Sequence, residues 1–331
     1  MSTRLLCGVS ALALAGAAFA TPASAQLADV SIEGPIQSVT PFAAPVRDTI
    51  GTRAVNVVGE MRVMGVLVKV LDTTPVHTPT NEHVTLGDLS GDPLPGRSEP
   101  GFIGGTAIVT GDSLAGVLYA TDVFTDFAEN VIVGEATAVT QDEELVTRAT
   151  VNKTIIQPSI DPRMPAGPPI NSFGFSIDPT NITAGTLVSA EGYFANNRLY
   201  YHTFEADAGA LINPAIAEVS ILRAQCRIRG RNRDELEVRG GTHTPANGRV
   251  TIQRLVPNAN PLLPGTWQNV NPVNVTPVVD ATVTPQQGLY RYNASNLNLG
   301  AVCPAQVRAI LRPTANGAII ATSEPFTPAS R

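Results

Sequence analysis

The spacing of turn-forming residues is the feature that most constrains the fold of this chain. The 28 Gly and 27 Pro residues interrupt segments rich in Val, Ile and Thr about every 8–15 positions. After the first 25 residues, no segment has a strong apolar period of 3.6 residues. Short segments of this composition between turn signals are typical of strands. The sequence therefore predicts an all-β protein in which any helices are single turns or short pieces.

The first 25 residues have the features of a secretory signal. Arg4 supplies a positive charge, residues 5–20 are apolar, and residues 23–25 (ASA) fit the cleavage motif of signal peptidase. The alternative, an N-terminal membrane anchor, is less favoured because the apolar run is short and rich in small residues. We therefore expect an exported protein of a Gram-negative-type bacterium, located in the periplasm, on the cell surface or in the medium. Its mature part begins near Gln26 and has no transmembrane segment.

Composition limits the classes of function. A hydrophobic content of 43% is sufficient for packed cores. The formal net charge of −6 argues against a nucleic-acid-binding protein.

The cysteines predict one disulfide. Cys7 would leave with the signal, so that Cys226 and Cys303 remain. Two cysteines in an exported chain usually pair, and neither has a neighbour at the spacing of metal ligands. We expect a Cys226–Cys303 disulfide, worth about 4 kcal/mol in the chain-entropy model.

Two stretches of the chain share a series of short motifs. The matching pairs are Gly34 and Gly134, Val55-Asn56 and Val151-Asn152, Gly105-Thr106 and Gly185-Thr186, and Leu118-Tyr119 and Leu199-Tyr200. An insertion at residues 72–101 accounts for the greater length of the first copy. The pattern predicts two tandem β-barrel modules at residues 28–130 and 131–210.

These motifs resemble those of small OB-like barrel domains of unknown function in exported bacterial proteins. The resemblance covers about half of the chain. It implies barrels of five or six strands and no particular chemistry. Barrels of this kind often bind polymers across one face, which is an analogy at the level of the fold.

The segment 211–331 has a different rhythm and predicts an immunoglobulin-like sandwich. The candidate strands are residues 218–228, 235–240, 249–255, 266–270, 275–284, 289–293, 305–311 and 318–323. Cys226 would lie on an early strand and Cys303 at the start of a late strand, so that the disulfide pins the two ends of the domain together.

The segment 111–114 (GDSL) matches a motif in which serine is the nucleophile of a hydrolase family. Such a serine lies on a strand-to-helix turn and needs a histidine base from a D-x-x-H motif. Here residues 116–124 have the pattern of a strand, and none of the four His residues has Asp three positions earlier. A hairpin turn is the favoured interpretation.

The insertion carries side chains that could bind a metal ion: His77, Glu82, His83, Asp88, Asp92 and Glu99. Their spacing matches no known ligand pattern, so we expect a solvated loop, no metal and no cofactor. The length of this loop also makes it a candidate for interactions.

The most distinctive local pattern is the basic run after Cys226. If a strand continues through it, alternation places four arginines on one face, namely Arg227, Arg229, Arg231 and Arg233. Their guanidinium groups could bind an anionic polymer such as an acidic polysaccharide or lipopolysaccharide phosphates. The favoured alternative is a solvated face that prevents edge-to-edge aggregation, with Asp234, Glu235 and Glu237 as neutralising partners.

We therefore expect a non-enzymatic binding or structural module of the bacterial envelope or cell exterior. Its partner would be an anionic polysaccharide or another envelope protein. One alternative is a hydrolase of extracellular polymers that uses scattered carboxylates, such as Asp122, Asp126 and Glu129. Another is a subunit of a surface assembly.

Overall fold

The protein is almost entirely β, as predicted. The structure is a computed structural model that describes residues 28–127, 130–142, 147–207, 211–243, 248–258, 264–270, 274–282, 286–300, 302–314 and 317–330. The predicted signal, residues 1–25, lies outside these ranges. Within them, no helix has the length and apolar character needed to cross a membrane.

The first unit is built from six strands and one short helix. They are β1 (Ala28–Ile50), β2 (Arg53–Val63), β3 (Val66–Leu71), β4 (Val76–His77), α1 (Leu86–Ser90), β5 (Thr106–Leu114) and β6 (Val117–Asp126). The antiparallel pairs are β1–β2, β2–β3, β5–β6 and β1–β5, and β3 pairs with β6 in parallel. These pairings return to β1, so five strands form a ring. Strand β4 extends the sheet beside β6.

The second unit is a closed barrel of five strands. They are β7 (Asn130–Gln141), β8 (Thr147–Val151), β9 (Thr154–Pro158), β10 (Leu187–Ala195) and β11 (Arg198–Ala206). Strand β9 pairs with β11 in parallel, and the other pairs are antiparallel. The order of pairing is the same as in the first ring.

Two irregularities recur at matching places in both rings. The opening strand is bulged between Ile36 and Ser38 in the first ring and between Ala136 and Ala138 in the second. The last hairpin is also bulged in each ring, at Gly111 and at Gly192.

Only glycine fits at the two hairpin bulges. A Cβ atom on Gly111 would lie 2.1 Å from the carbonyl oxygen of Tyr119, and one on Gly192 would lie 2.0 Å from that of Tyr200. The two backbones approach too closely for a side chain. The glycine of the GDSL segment is therefore a structural residue of the first hairpin.

The C-terminal unit contains two sheets on one core. Its strands are β12 (Arg223–Arg227), β13 (Asp234–His243), β14 (Arg249–Val256), β15 (Thr266–Asn269), β16 (Val278–Asp280), β17 (Gln287–Leu297), β18 (Val307–Arg312), β19 (Ala321–Thr322) and β20 (Ala329–Ser330). One sheet has the order β16-β17-β13-β12-β20 and the other β15-β14-β18-β19. Leu236 and Val238 of the first sheet share a buried cluster with Val250 and Ile252 of the second.

The predicted disulfide is confirmed. Cys226 in β12 is bonded to Cys303, and their Cα atoms are 5.9 Å apart. Cys303 lies in the loop that precedes β18, a few residues before the expected start of a strand. The bond therefore joins a strand to a loop across the C-terminal core.

The insertion is packed, contrary to the expectation of a solvated loop. Val84, Leu86 and Leu89 are buried in the core of the first ring. Leu86 and Leu89 lie on one face of the short helix α1, because they are three positions apart. The same cluster includes Tyr193 and Tyr200 of the second barrel. The insertion therefore joins the two units through apolar contacts.

An ion pair between partly buried Arg163 and buried Asp161 reinforces this contact. Arg163 binds Asp161 through two nitrogens, at 2.8 and 2.6 Å. It also donates to the carbonyl oxygens of Asp88 and Asp92 in the insertion. Burial alone would raise the pKa of Asp161, but the hydrogen bonds from Arg163 outweigh it and the pKa is lowered.

Candidate functional site

The GDSL segment has no catalytic geometry. Ser113 lies within β5, and the turn that follows is formed by Ala115 and Gly116, both with positive φ. The segment is thus strand, and the hairpin turn that we expected at these residues lies just beyond them. It leads into β6 rather than into a helix, and Asp112 accepts a hydrogen bond from Arg53 at 3.3 Å.

Four of the six candidate ligands of the insertion take part in separate contacts. His77 contacts the carboxylate of Asp122 at 3.2 Å, and Asp88 forms a capping box with Thr85 at the start of α1. Glu99 pairs with Arg97, and Glu82 accepts from Gln306. In the part of the chain that the structure describes, these side chains do not form a metal-binding group. Glu129 lies outside the described residues.

The arginine run does not lie on one strand face, so the predicted alternation is wrong. Strand β12 ends at Arg227 and β13 begins at Asp234. Between them, Gly230, Arg231 and Asn232 all have positive φ, which forms a tight turn. Arg227, Arg229, Arg231 and Arg233 are nevertheless all exposed.

The buried carboxylate of Asp234 holds this turn. One oxygen accepts hydrogen bonds from the backbone N–H groups of Arg229 and Gly230, and the other accepts from Leu299. Burial would raise the pKa of Asp234, but these backbone hydrogen bonds lower it. Asp234 therefore does not neutralise the arginine side chains in the way that we expected.

The structure reveals a different basic row on the neighbouring sheet face. Arg223 in β12 lies opposite Arg239 in β13, and Arg239 lies opposite Arg291 in β17. All three side chains are exposed. Residues that face each other across strands have Cβ atoms about 5 Å apart. Three positive side chains therefore stand side by side; we call them the arginine row.

One carboxylate is held within the arginine row. Glu237 binds the Nε atom of Arg239 at 2.6 Å and a terminal nitrogen of Arg291 at 3.1 Å. The hydrogen bond from Arg239, together with the charges of Arg239, Arg291 and Arg223, lowers the pKa of Glu237. Glu235 binds Arg229 at 3.2 Å. These two partly exposed glutamates therefore offset only part of the positive charge.

The face and its adjoining turn are strongly positive in a chain whose net charge is −6. They carry seven exposed arginines, namely Arg223, Arg227, Arg229, Arg231, Arg233, Arg239 and Arg291. The acidic residues of the same region are Asp234, Glu235 and Glu237. Sequence reasoning missed the row because it depends on the register of three strands. The alternation of Glu235, Glu237 and Arg239 indicated an outward face but not what lies opposite it.

A second group of side chains lies where the first ring meets the second barrel. Asp126, Glu191 and His202 each offer one ligand atom, and these atoms lie within 4.8 Å of one another. His202 is 3% exposed, and burial lowers its pKa to about 4. Its Nδ1 atom contacts the hydroxyl of Thr203 at 2.9 Å. Its Nε2 atom has no hydrogen-bond partner among the described residues.

No protein-family model, curated protein or solved structure matches the chain. A functional assignment must therefore start from these two groups of side chains.

Proposed function

We propose that this chain is an exported, non-enzymatic module that binds an anionic polysaccharide at the arginine row. The observation that carries the proposal is the register of Arg223, Arg239 and Arg291 on one exposed face. The signal-like N-terminus supports export. The disulfide also supports it, because such bonds persist in oxidising compartments.

The guanidinium groups of the arginine row can bind more negative charge than Glu237 supplies. Like charges that face each other across strands repel and destabilise a sheet. Glu237 contacts Arg239 and Arg291, whereas Arg223 acts on Glu237 through its charge. Guanidinium groups bind carboxylate, sulfate and phosphate through paired hydrogen bonds. A polymer with regularly spaced anionic groups would relieve the repulsion and use these donors.

We infer that the two rings are copies of one OB-like barrel and that the C-terminal unit is an immunoglobulin-like sandwich. The shared order of pairing and the two shared bulges support the first inference. In this arrangement the packed barrels serve as a structural base. The sandwich presents the arginine row to the polymer.

The experiment is chromatography of the purified chain on dextran sulfate beads, with neutral dextran beads as the reference. We expect retention on dextran sulfate only. The variant R223S/R291S should elute early, because it removes two positions of the row and leaves the Arg239–Glu237 pair in place.

The matched control is R47S/R198S, which removes the same charge from exposed positions on the two barrels. It should be retained like the wild type. Equal loss of retention in both variants would mean that only net charge matters and would contradict the proposal. The variant R229S/R231S tests the turn. If it alone abolishes retention, the arginine row is not the binding site.

A further inference from the structure

Side chains of the types that bind metal ions converge where the first ring meets the second barrel. Asp126 is the last residue of β6 and so belongs to the first ring. Glu191 in β10 and His202 in β11 belong to the second barrel. The two barrels thus contribute one and two ligand atoms, respectively, to one group.

The hairpin bulge of the second barrel sets the position of His202. The register passes from Glu191 opposite Thr203 to Gly192 opposite Tyr201, so that His202 has no residue opposite it. Bulges of this kind re-aim side chains and are frequent beside functional sites. Tyr201 and Phe204 belong to the core inside the barrel. His202 therefore lies on the outer face.

The corresponding position of the first ring carries no ligand of this kind. There the register passes from Thr110 opposite Asp122 to Gly111 opposite Ala120, which leaves Thr121 unpaired. Thr110 and Thr121 thus take the places of Glu191 and His202. At these two positions, a carboxylate and an imidazole are therefore paired in the second barrel, whose bulge lies beside Asp126.

The Nε2 atom of His202 is a buried polar atom without a hydrogen-bond partner among the described residues. Buried polar atoms almost always have a hydrogen-bond partner, and an exception calls for an explanation such as an ion. The side chain is almost fully buried, and in the described part of the chain this nitrogen has no such partner. The contact of Nδ1 with Thr203 fixes the ring and leaves Nε2 as the available ligand atom.

We propose that Asp126, Glu191 and His202 bind a divalent transition-metal ion, with Zn²⁺ as the best match. One imidazole and two carboxylates suit zinc, whereas Ca²⁺ and Mg²⁺ prefer oxygen ligands alone. The two carboxylates balance the charge of the ion. Zinc bonds of about 2.1 Å place tetrahedral ligand atoms roughly 3.4 Å apart. The three ligand atoms, which lie within 4.8 Å of one another, therefore move closer together on binding. The bound ion then joins the two barrels.

The test is calorimetric titration of ZnCl₂ into the full chain after removal of metal with EDTA. We expect one saturable site per chain. The variants H202Q and D126N should each weaken binding at least about tenfold, because each removes one ligand. Zn²⁺ should also raise the midpoint of thermal unfolding of the wild type, but not that of either variant. Far-UV circular dichroism checks that the variants are folded.

The matched control is H83Q, at an exposed histidine of the insertion. It should bind Zn²⁺ like the wild type. The absence of a saturable site in the wild type would overturn the proposal, as would unchanged affinity in both H202Q and D126N. An affinity for Mg²⁺ equal to that for Zn²⁺ would contradict a role for the imidazole. Because D126N leaves His202 in place, the test holds even if H202Q does not fold.

Discussion

Asp234 shows how one buried carboxylate can organise a turn that its neighbours in sequence do not explain. It is 1% exposed, and its two oxygens accept three backbone hydrogen bonds. Two of these come from the turn itself and one from Leu299, far along the chain. The negative charge stays buried because backbone N–H groups surround it.

The first prediction is that D234N destabilises the C-terminal unit by about 2 kcal/mol near neutral pH. The folded-state pKa of Asp234 lies below the ordinary value of 3.8. Its stabilising effect is therefore present above pH 3.8 and is lost as the pH falls through the folded-state pKa. The difference in unfolding free energy between wild type and D234N should therefore become smaller in acid.

The measurement is urea unfolding followed by the fluorescence of Trp267, the only tryptophan, which lies in β15 of the same unit. The control D207N changes an exposed aspartate of the second barrel and should leave the transition unchanged. If the difference in unfolding free energy between wild type and D234N stays constant with pH, the negative charge of Asp234 does not stabilise the unit.

At the scale of the element, the hairpin bulge of the second barrel depends on Gly192. An added Cβ atom would meet the backbone of Tyr200 and Tyr201 at 2.0 and 2.5 Å, respectively. Backbone atoms cannot move aside as a flexible side chain can. The bulge must therefore open if this glycine is replaced.

We predict that G192A destabilises the second barrel by about 2 kcal/mol or more. The control G167A adds a Cβ atom that meets nothing within 4 Å, and its effect should stay within about 0.5 kcal/mol. Urea unfolding followed by far-UV circular dichroism measures both. Equal midpoints for the two variants would show that the bulge tolerates a side chain.

Local sequence signals predicted the strands of the C-terminal unit but not the end of β12. Every candidate strand in segment 211–331 overlaps a strand of the structure, because alternation and turn residues are local signals. The prediction that the four arginines share one strand face was wrong because alternation of residue types cannot show that a strand has ended. Gly230 and Asn232 were the available turn signal, and both have positive φ.

The two candidate sites could not be predicted from the sequence. The arginine row requires the pairing of β12 with β13 and of β13 with β17. The Asp126, Glu191 and His202 group requires the packing of one barrel against the other. Register and packing both arise from contacts between distant parts of the chain, which short patterns do not encode.

At the scale of the molecule, the Cys226–Cys303 bond spans 77 residues of the C-terminal unit. We predict that the double variant C226S/C303S lowers the unfolding free energy of this unit by about 4 kcal/mol, because closing a long loop restricts the unfolded chain. Replacing both cysteines leaves no lone thiol in this unit.

Trp267 fluorescence during urea unfolding reports this loss. In the wild type, added reductant should move the same transition in the same direction. Neither cysteine lies in the barrels. Their unfolding, followed by circular dichroism, should therefore be the same in wild type and double variant. A Trp267 transition that is identical in wild type and double variant would contradict the role of the bond.

The molecule has an overall negative charge, and the proposed function uses the positive face that carries the arginine row. Binding to a linear polyanion releases counterions, so the logarithm of the affinity falls linearly with the logarithm of the salt concentration. The slope reports the number of cationic side chains that contact the polymer. Removing one such contact should reduce the slope by about one.

The most direct test is the affinity for dextran sulfate, measured by titration over a series of NaCl concentrations. The R223S/R291S variant should show a slope shallower than that of the wild type by about two, and R47S/R198S should match the wild type. A slope in R223S/R291S equal to that of the wild type would contradict binding at the arginine row.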